Sequence, residues 1–421
     1  MHPNRNKLFV ASCVALVTTS MVFSIRVDIN DALGADLRLN KEQLGYLMQP
    51  AFWGFTASIL VGGSLVDLFG MRRLLFVSSF GYIVSVLAMV FGPTPSAPVT
   101  SMLSEPGIII AWVAMLMLGL AQGLVEGVIN PLCTTLYPDN KTHRMNVLHA
   151  WWPGGLIIGG LLAYAITKIM GLDGADVSAA AASLGWRIKL SLILFAAVLY
   201  AFLIRGQSFP ATERVTAGVS TSQMLKEALR PMFLLFWICM WMTAITELGT
   251  DTWVGSLITN LTGMEGILIL VYTSGIMFVL RFYGGSVASR FSPMGVLTGS
   301  AILSGIGLYA LSYVETPMQA FAAATIFGVG KTYFWPFMLG ITSERFPNGG
   351  AFLMAIMGGT GNLAVAFVLP FMGGWYDAEG AAAAFRYVAG FPVILTLIFV
   401  GLYFYFKSIG GYRAVEVSTD S

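Results

Sequence analysis

The segment AFAAATIF-GVGKT-YFWPFML, residues 320–339, decides what kind of chain this is. Its centre, Gly328 to Thr332, looks like the end of a phosphate-binding loop, G-x-x-x-x-G-K-[ST], in which backbone N–H groups and a lysine cradle phosphates. The pattern fails. Its first glycine would fall at position 325, which is Thr325, and a phosphate loop is a polar turn between strand and helix, whereas both flanks here are apolar. The alternative is a membrane helix, and then Lys331 needs an explanation of its own.

Composition points the same way. Of 421 residues, 57% are hydrophobic and 10% charged, with a mean hydropathy of +0.77; soluble domains average about 25% charged residues. Most of the chain is therefore solvated by lipid. A net charge of +2 with no basic arm argues against nucleic acid as a partner. Cys13, Cys133 and Cys239 lie in apolar runs without metal-ligand spacing and read as small core residues. No metal site and no cofactor is expected.

A bilayer core about 30 Å thick needs roughly 20 apolar residues of helix. Twelve such segments are predicted, near 8–36, 42–69, 72–92, 107–137, 143–170 and 186–204, then 229–260, 266–290, 294–314, 317–345, 350–376 and 382–407. The start, MHPNRNK before LFVASCVALVTTSMVF, has the look of a signal peptide, but the helical pattern continues into IRVDINDALG, so it is read as the first span. The predicted fold is all-α, with twelve transmembrane helices in two six-helix bundles, 1–204 and 229–407. A polar cytoplasmic linker, 205–228, joins them, and a short tail, 408–421, follows. With the N-terminus inside, 14 of the 23 lysines and arginines fall on the cytoplasmic side and 6 outside (Arg38, Lys41, Lys168, Arg187, Lys189 and Arg386). That excess predicts two cytoplasmic termini and a multi-pass protein of the inner membrane.

The halves repeat each other. GGSLVDLFG (62–70) ends the second span and GGSVASRFS (284–292) the eighth; GLAQG (119–123) lies in the fourth and GVGKT in the tenth. Ser64 to Ser286 is an offset of 222 and Gly119 to Gly328 one of 209, the difference of 13 matching the long first-half loop GPTPSAPVTSMLSEPG. Two six-span repeats handling substrate between them is the design of a rocking secondary transporter. The repeat also explains Lys331: it is the counterpart of Gln122, on a helix that faces the cavity.

The run Gly63-SLV-Asp67-LF-Gly70-M-Arg72-Arg73 resembles the loop motif of the major facilitator superfamily, G-x-x-x-D-[RK]-x-G-R-[RK], with Leu68 and Met71 in place of basic residues. The resemblance implies that Gly63, Asp67, Gly70, Arg72 and Arg73 form a latch closing the cytoplasmic side in one state. Ser289 stands where a second-half copy of Asp67 would, so the latch is expected on one side only.

Ionisable side chains within a span are costly and are functional candidates by default. In the first span Asp28 and Asp31 share a helix face; in the fourth, Gln122, Glu126 and Asn130 form a polar stripe ahead of Pro131. The fifth opens with RMNVLHAWWPGG, bringing His149, Trp151 and Trp152 to helix depth. Glu247 and Asp251 share a face in the second half, where Arg281 and Lys331 add positive charge. Arg26 is expected to pair with Asp28 or Asp31, and Arg281 with Glu247 or Asp251, because pairing neutralises buried charge. Lys331 either crosses to an acid on another helix or meets substrate.

Asn30-Asp31, Glu126-GVI-Asn130-Pro131 and Arg144-M-Asn146-VL-His149 resemble the fucose/galactose–proton symporters, which carry N-D, E-x-x-x-N-P and R-L-N-x-x-Q at these places. By that likeness Asp31 and Glu126 are the proton-coupling carboxylates, and Asp28 and His149 stand at sugar-contacting positions, with different residue types. Burial in an apolar cavity favours a neutral carboxyl, which suits proton carriage whatever the family. Further candidate substrate contacts are Gln122, Asn130, Trp151, Trp152, Arg281, Lys331, Trp335 and Asn362, although aromatics also anchor and pack membrane helices. The leading expectation is symport of protons with a sugar or polyol. The alternative is an organic-anion carrier or exchanger in which Arg26, Arg281 and Lys331 hold a carboxylate such as a sugar acid. An embedded enzyme or a sensor is disfavoured: there are only three histidines (His2, His143 and His149), no Ser/His/Asp spacing and no soluble signalling domain. The partners expected are small molecule, proton and lipid, with the protein as a monomer.

Overall fold

A computed structural model describes residues 4–102, 105–137, 141–174, 176–210, 221–346 and 349–415, leaving aside the side chains of 63–68, 134, 141–143, 146, 221–224, 343, 350 and 351. All secondary structure among them is helical: α1 (Arg5–Asp36), α2 (Lys41–Phe69), α3 (Met71–Phe91), α4 (Pro106–Leu136), α5 (Lys141–Met170), α6 (Ala179–Ile204), α7 (Thr221–Ala228), α8 (Pro231–Ala244), α9 (Thr250–Thr262), α10 (Ile267–Arg281), α11 (Gly284–Leu311), α12 (Pro317–Lys331), α13 (Phe334–Arg345), α14 (Gly350–Glu379) and α15 (Ala381–Ser408). A π-helical turn, Ile245–Gly249, joins α8 to α9. Among the described residues ten helical stretches are long and apolar enough to cross a membrane. The 15-residue α10 and the broken pair α12–α13 bring the spans to twelve.

The first-half spans fall close to their predicted limits, except that α6 begins at Ala179 rather than near 186. Ser178 accepts a hydrogen bond from the Ala181 N–H at 3.2 Å and caps an alanine run that extends the helix. The second half departs more. Its seventh span carries the π turn, α10 stops at Arg281, and the tenth span breaks at Thr332–Tyr333.

Within the first half, helices touch backbone to backbone where glycine removes the side chain. A Cβ at Gly119 would lie 1.9 Å from the Ala51 carbonyl oxygen, and one at Gly155 2.7 Å from that of Val17, so α4 rests directly on α2 and α5 on α1. The glycines of GGTGN pack α14 onto α2 and α8: Gly359 faces Ile59 and Leu60, and Gly361 faces Met240 and Ala244.

The repeat is visible in the backbone. Gly70 (φ 79°, ψ 147°) ends α2, and Ser292, 222 residues on, takes nearly the same conformation (φ 62°, ψ 156°) within α11. Asn30 and Thr252 are separated by the same 222 residues, and the Asn30 amide donates to the Thr252 carbonyl at 2.8 Å. Equivalent positions meet in this way on an axis relating two halves.

Further hydrogen bonds join the halves. Ser256 donates to Asp31 at 2.6 Å, Gln49 to the Ala366 carbonyl at 2.8 Å and Thr56 to the Gly359 carbonyl at 2.6 Å. At the far end Asp377 of α14 accepts from the Lys41 and Glu42 N–H groups at 3.3 and 2.9 Å, supplying the first turn of α2 with a cap. Apart from Thr56 near mid-helix, these bonds lie toward the end where α1 hands over to α2.

Of the expected latch, the side chains of Gly63 and Asp67 lie outside the described residues. Gly70 holds its positive φ in open space, and Arg72 and Arg73 are exposed in the first turn of α3.

Ser292 occupies backbone space that suits glycine, at a cost of order 1–3 kcal/mol, partly offset by its side chain accepting from the Gly295 N–H at 3.3 Å. Ser292→Gly is therefore expected to stabilise the purified protein by about 1 kcal/mol, seen as a higher melting temperature. An unchanged or lower value would mean that this turn relaxes at no cost.

Candidate functional site

Between the halves lies a partly open cavity of about 660 Å³, its mouth included, lined by Phe23, Arg26, Ala51, Phe52, Phe55, Gln122, Glu126, His149, Trp152, Glu247, Leu248, Arg281, Trp335 and Asn362. Seven of the predicted proton and substrate residues meet here: Gln122, Glu126, His149, Trp152, Arg281, Trp335 and Asn362. The polar stripe of α4 turns two members inward, while its third, Asn130, holds His149 through Oδ1 at 3.0 Å from Nε2. Gln122 and Asn362 tie their amide nitrogens to the carbonyls of Thr19 and Gly358, at 3.0 and 3.1 Å. Their amide oxygens are thereby oriented as acceptors.

The first-span carboxylates are elsewhere. Asp28 was expected to touch substrate; it is buried against Lys189 of α6, with Asp28 Oδ2 2.5 Å from Lys189 Nζ, and Thr167 shares the same ammonium. Asp31, expected as the other proton-coupling carboxylate, has a side chain that is 47% exposed and engages Lys41 and Ser256 at the α1–α2 end. Glu126 is thus the sole cavity member of the two proton-coupling candidates, and it makes no ion pair among the described residues. Trp151 is exposed and absent from the lining.

The expected pairing of Arg26 is corrected. With Asp28 taken by Lys189 and Asp31 by Lys41, no carboxylate among the described residues reaches it. Arg26 is 6% exposed, its Nε and Nη1 find no hydrogen-bond acceptor, and its guanidinium lies 5.8 and 5.6 Å from the ring centres of Phe23 and Phe52. Cation–π contact supplies part of what an anion would. Phe23, Phe52 and Phe55 were not foreseen; Phe23 had a readable signal, standing one turn before Arg26 on the same face.

In the second half Arg281 is paired as expected, its Nη2 3.6 Å from Glu247 Oε1, and its Nε donates to the Thr332 carbonyl at the break after α12. Lys331 crosses to another helix: wholly buried, it binds both oxygens of Asp251 at 2.5 and 2.6 Å and stays out of the cavity lining.

The family model described as Major Facilitator Superfamily matches residues 8–349. Over 195 residues the chain is 27% identical to an Arabidopsis thaliana protein named probable anion transporter 3, chloroplastic, a match covering 44% of this chain and 34% of that one. The chain thus spans about a third of that relative. Among solved structures, the xylose transporter of E. coli in an inward open conformation aligns with a TM-score of 0.74 at 13% identity, covering 94% of this chain and 95% of that one. The E. coli fucose:proton symporter aligns with a TM-score of 0.59 at 16% identity, covering 93% and 98%. These likenesses speak to the fold.

Removing one partner of a buried pair strands the other charge, at about 3–5 kcal/mol, whereas replacing both with apolar residues is often neutral. Lys331→Met and Asp251→Leu are each expected to lower the melting temperature sharply, and the double variant to recover most of the loss. No recovery would place Lys331 in some other role than holding α12 to α9.

Proposed function

The chain belongs to the major facilitator superfamily, and from that premise we propose that it is a proton-coupled transporter of a small organic anion, of which a sugar acid is the class best suited to the cavity. The observation that carries this reading is Arg26, a buried cation facing the cavity with no carboxylate partner among the described residues. A lone charge away from water costs several kcal/mol, and a substrate carboxylate would neutralise it. The acceptors of Gln122 and Asn362 suit hydroxyl groups, and Trp152 and Trp335 suit the apolar face of a sugar chain. The likeness to a probable anion transporter supports the anionic class.

Coupling follows from charge. The cavity contains Arg26, Arg281, Glu126 and Glu247; with both carboxylates ionised and no substrate, they sum to zero. A monoanion bound with Glu126 protonated restores zero. A proton without substrate, or substrate without a proton, leaves a net charge in a closing, low-dielectric cavity, and those states are disfavoured. Empty and doubly loaded forms switch; the half-loaded ones do not. The lysine and arginine asymmetry supports cytoplasmic termini in the inner membrane. On that orientation the α1–α2 end, where the bonds between the halves cluster, faces outward.

Proteoliposomes loaded with a pH dye test the reading. Gluconate added outside at fixed pH is expected to acidify the lumen, faster at lower external pH. Glu126→Gln should weaken the signal to half or less. Arg26→Gln should weaken apparent affinity roughly tenfold to a hundredfold, as expected for lost charge-assisted hydrogen bonds worth about 1.5–3 kcal/mol. A neutral sugar that acidifies the lumen equally well in Arg26→Gln would overturn the anion assignment and favour sugar symport.

A further inference from the structure

The second half contains two acid–base pairs built differently. Asp251 and Lys331 are locked, with both carboxylate oxygens in short hydrogen bonds to a fully buried ammonium. Glu247, one turn earlier on the same span, holds Arg281 only at 3.6 Å, beyond hydrogen-bond reach. Its other oxygen, Oε2, is buried and has no partner among the described residues, although the side chain lines the cavity. Buried oxygens without partners are rare in folded proteins and call for a reason. The backbone there is the π turn Ile245–Gly249, a geometry that recurs at functional sites.

From this contrast, and resting on the transport reading above, we infer that Glu247 is a second proton-carrying group, and that its protonation releases Arg281 to serve as a second, proton-dependent anion subsite. The step balances simply. A proton from the aqueous side binds Glu247, and the carboxyl becomes neutral with its O–H directed at a cavity acceptor. Arg281 loses its counter-charge and keeps the Thr332 carbonyl as its anchor. An anion entering the cavity then replaces the carboxylate as the partner of the guanidinium. Loss of the proton to the opposite side re-forms the pair and expels the anion.

The groups facing Glu247 make this an opening the surroundings tolerate. On its own span stands Asp251, already neutralised by Lys331 of α12. From α10 comes Arg281. Across the cavity are Arg26 of α1, Glu126 of α4 and His149 of α5. Lys331 acts on Glu247 electrostatically but is committed to both oxygens of Asp251, and Arg26 stands across the cavity, so neither takes the place of Arg281 as a direct partner and its departure is tied to arrival of the proton. Glu126 lies on the opposing half, which gives each half one proton acceptor and one arginine.

Infrared pH-difference spectra of the purified full-length protein in lipid read the proton directly, without a substrate. A protonated-carboxyl band is expected that Glu247→Gln removes and Glu126→Gln leaves in place. Glu247→Asp should keep a titrating band at a shifted frequency, which separates loss of the group from loss of the fold. With both subsites filled, two protons accompany two gluconates, a ratio of one; Glu247→Gln, which frees Arg281 without a proton, should lower that ratio to about one half in the liposome assay. A spectrum of Glu247→Gln that superposes on that of the unaltered protein would overturn the inference, as would an unchanged proton ratio. Failure of the anion reading is a separate result: gluconate then moves nothing in the unaltered protein while the Glu247 band still titrates.

Discussion

A charge removed from water must be answered by another charge or by strong dipoles, and the interior of this protein is organised around that constraint. In the interior Asp28 is answered by Lys189 and Asp251 by Lys331, while the half-exposed Asp31 pairs with Lys41 at the α1–α2 end. Each of these pairs holds helices together and is spent in doing so. What is left over among the described residues defines the cavity: Arg26 without an acid, Glu126 without a base, and a loose Glu247–Arg281 pair. The ligand chemistry of the site is the remainder after the structural pairs are subtracted.

The two halves spend their regularity unequally. In the first, α1, α4 and α5 run unbroken past the cavity. In the second, the π turn, the end of α10 and the break after α12 fall beside Glu247, Arg281 and Lys331 respectively. Discontinuous helices at mid-membrane commonly mark transporter sites, because interrupted backbone offers carbonyls and N–H groups to ligands and side chains. Arg281 uses one of these, the Thr332 carbonyl. Related sequences thus make a rigid wall on one side of the cavity and an adjustable one on the other.

Much of this was legible in the chain itself, for physical reasons. Lipid demands long apolar runs, so twelve spans and the repeat could be read directly, and a polar residue on an apolar helix marks its inward face, as Gln122, Glu126 and His149 do. Depth was harder. The sixth span was read as starting near 186, which put Lys189 at its outer end; the alanine run capped by Ser178 carries the helix back to 179 and takes Lys189 into the interior. That one extension reassigns Asp28, and with it the status of Arg26. The aromatic lining was hidden for another reason: Phe52 and Phe55 are apolar residues on an apolar helix, and no local pattern separates a cavity wall from lipid-facing surface. The breaks in the second half left no apolar gap to betray them.

One consequence lies at the tip of the bundle. The first two N–H groups of α2 are capped by Asp377, a residue of the opposite half. α2 brings part of its own cap, Asn40 Oδ1 accepting from the Gln43 N–H at 2.8 Å, but its first two donors look across to the other half. Here the terminus is finished only while the halves are together, and parting them uncovers two backbone donors that water must then satisfy. The protein has made the integrity of a helix a report on its own posture: a spectroscopic probe of the Lys41 and Glu42 amides would count how often the molecule opens, with no substrate present.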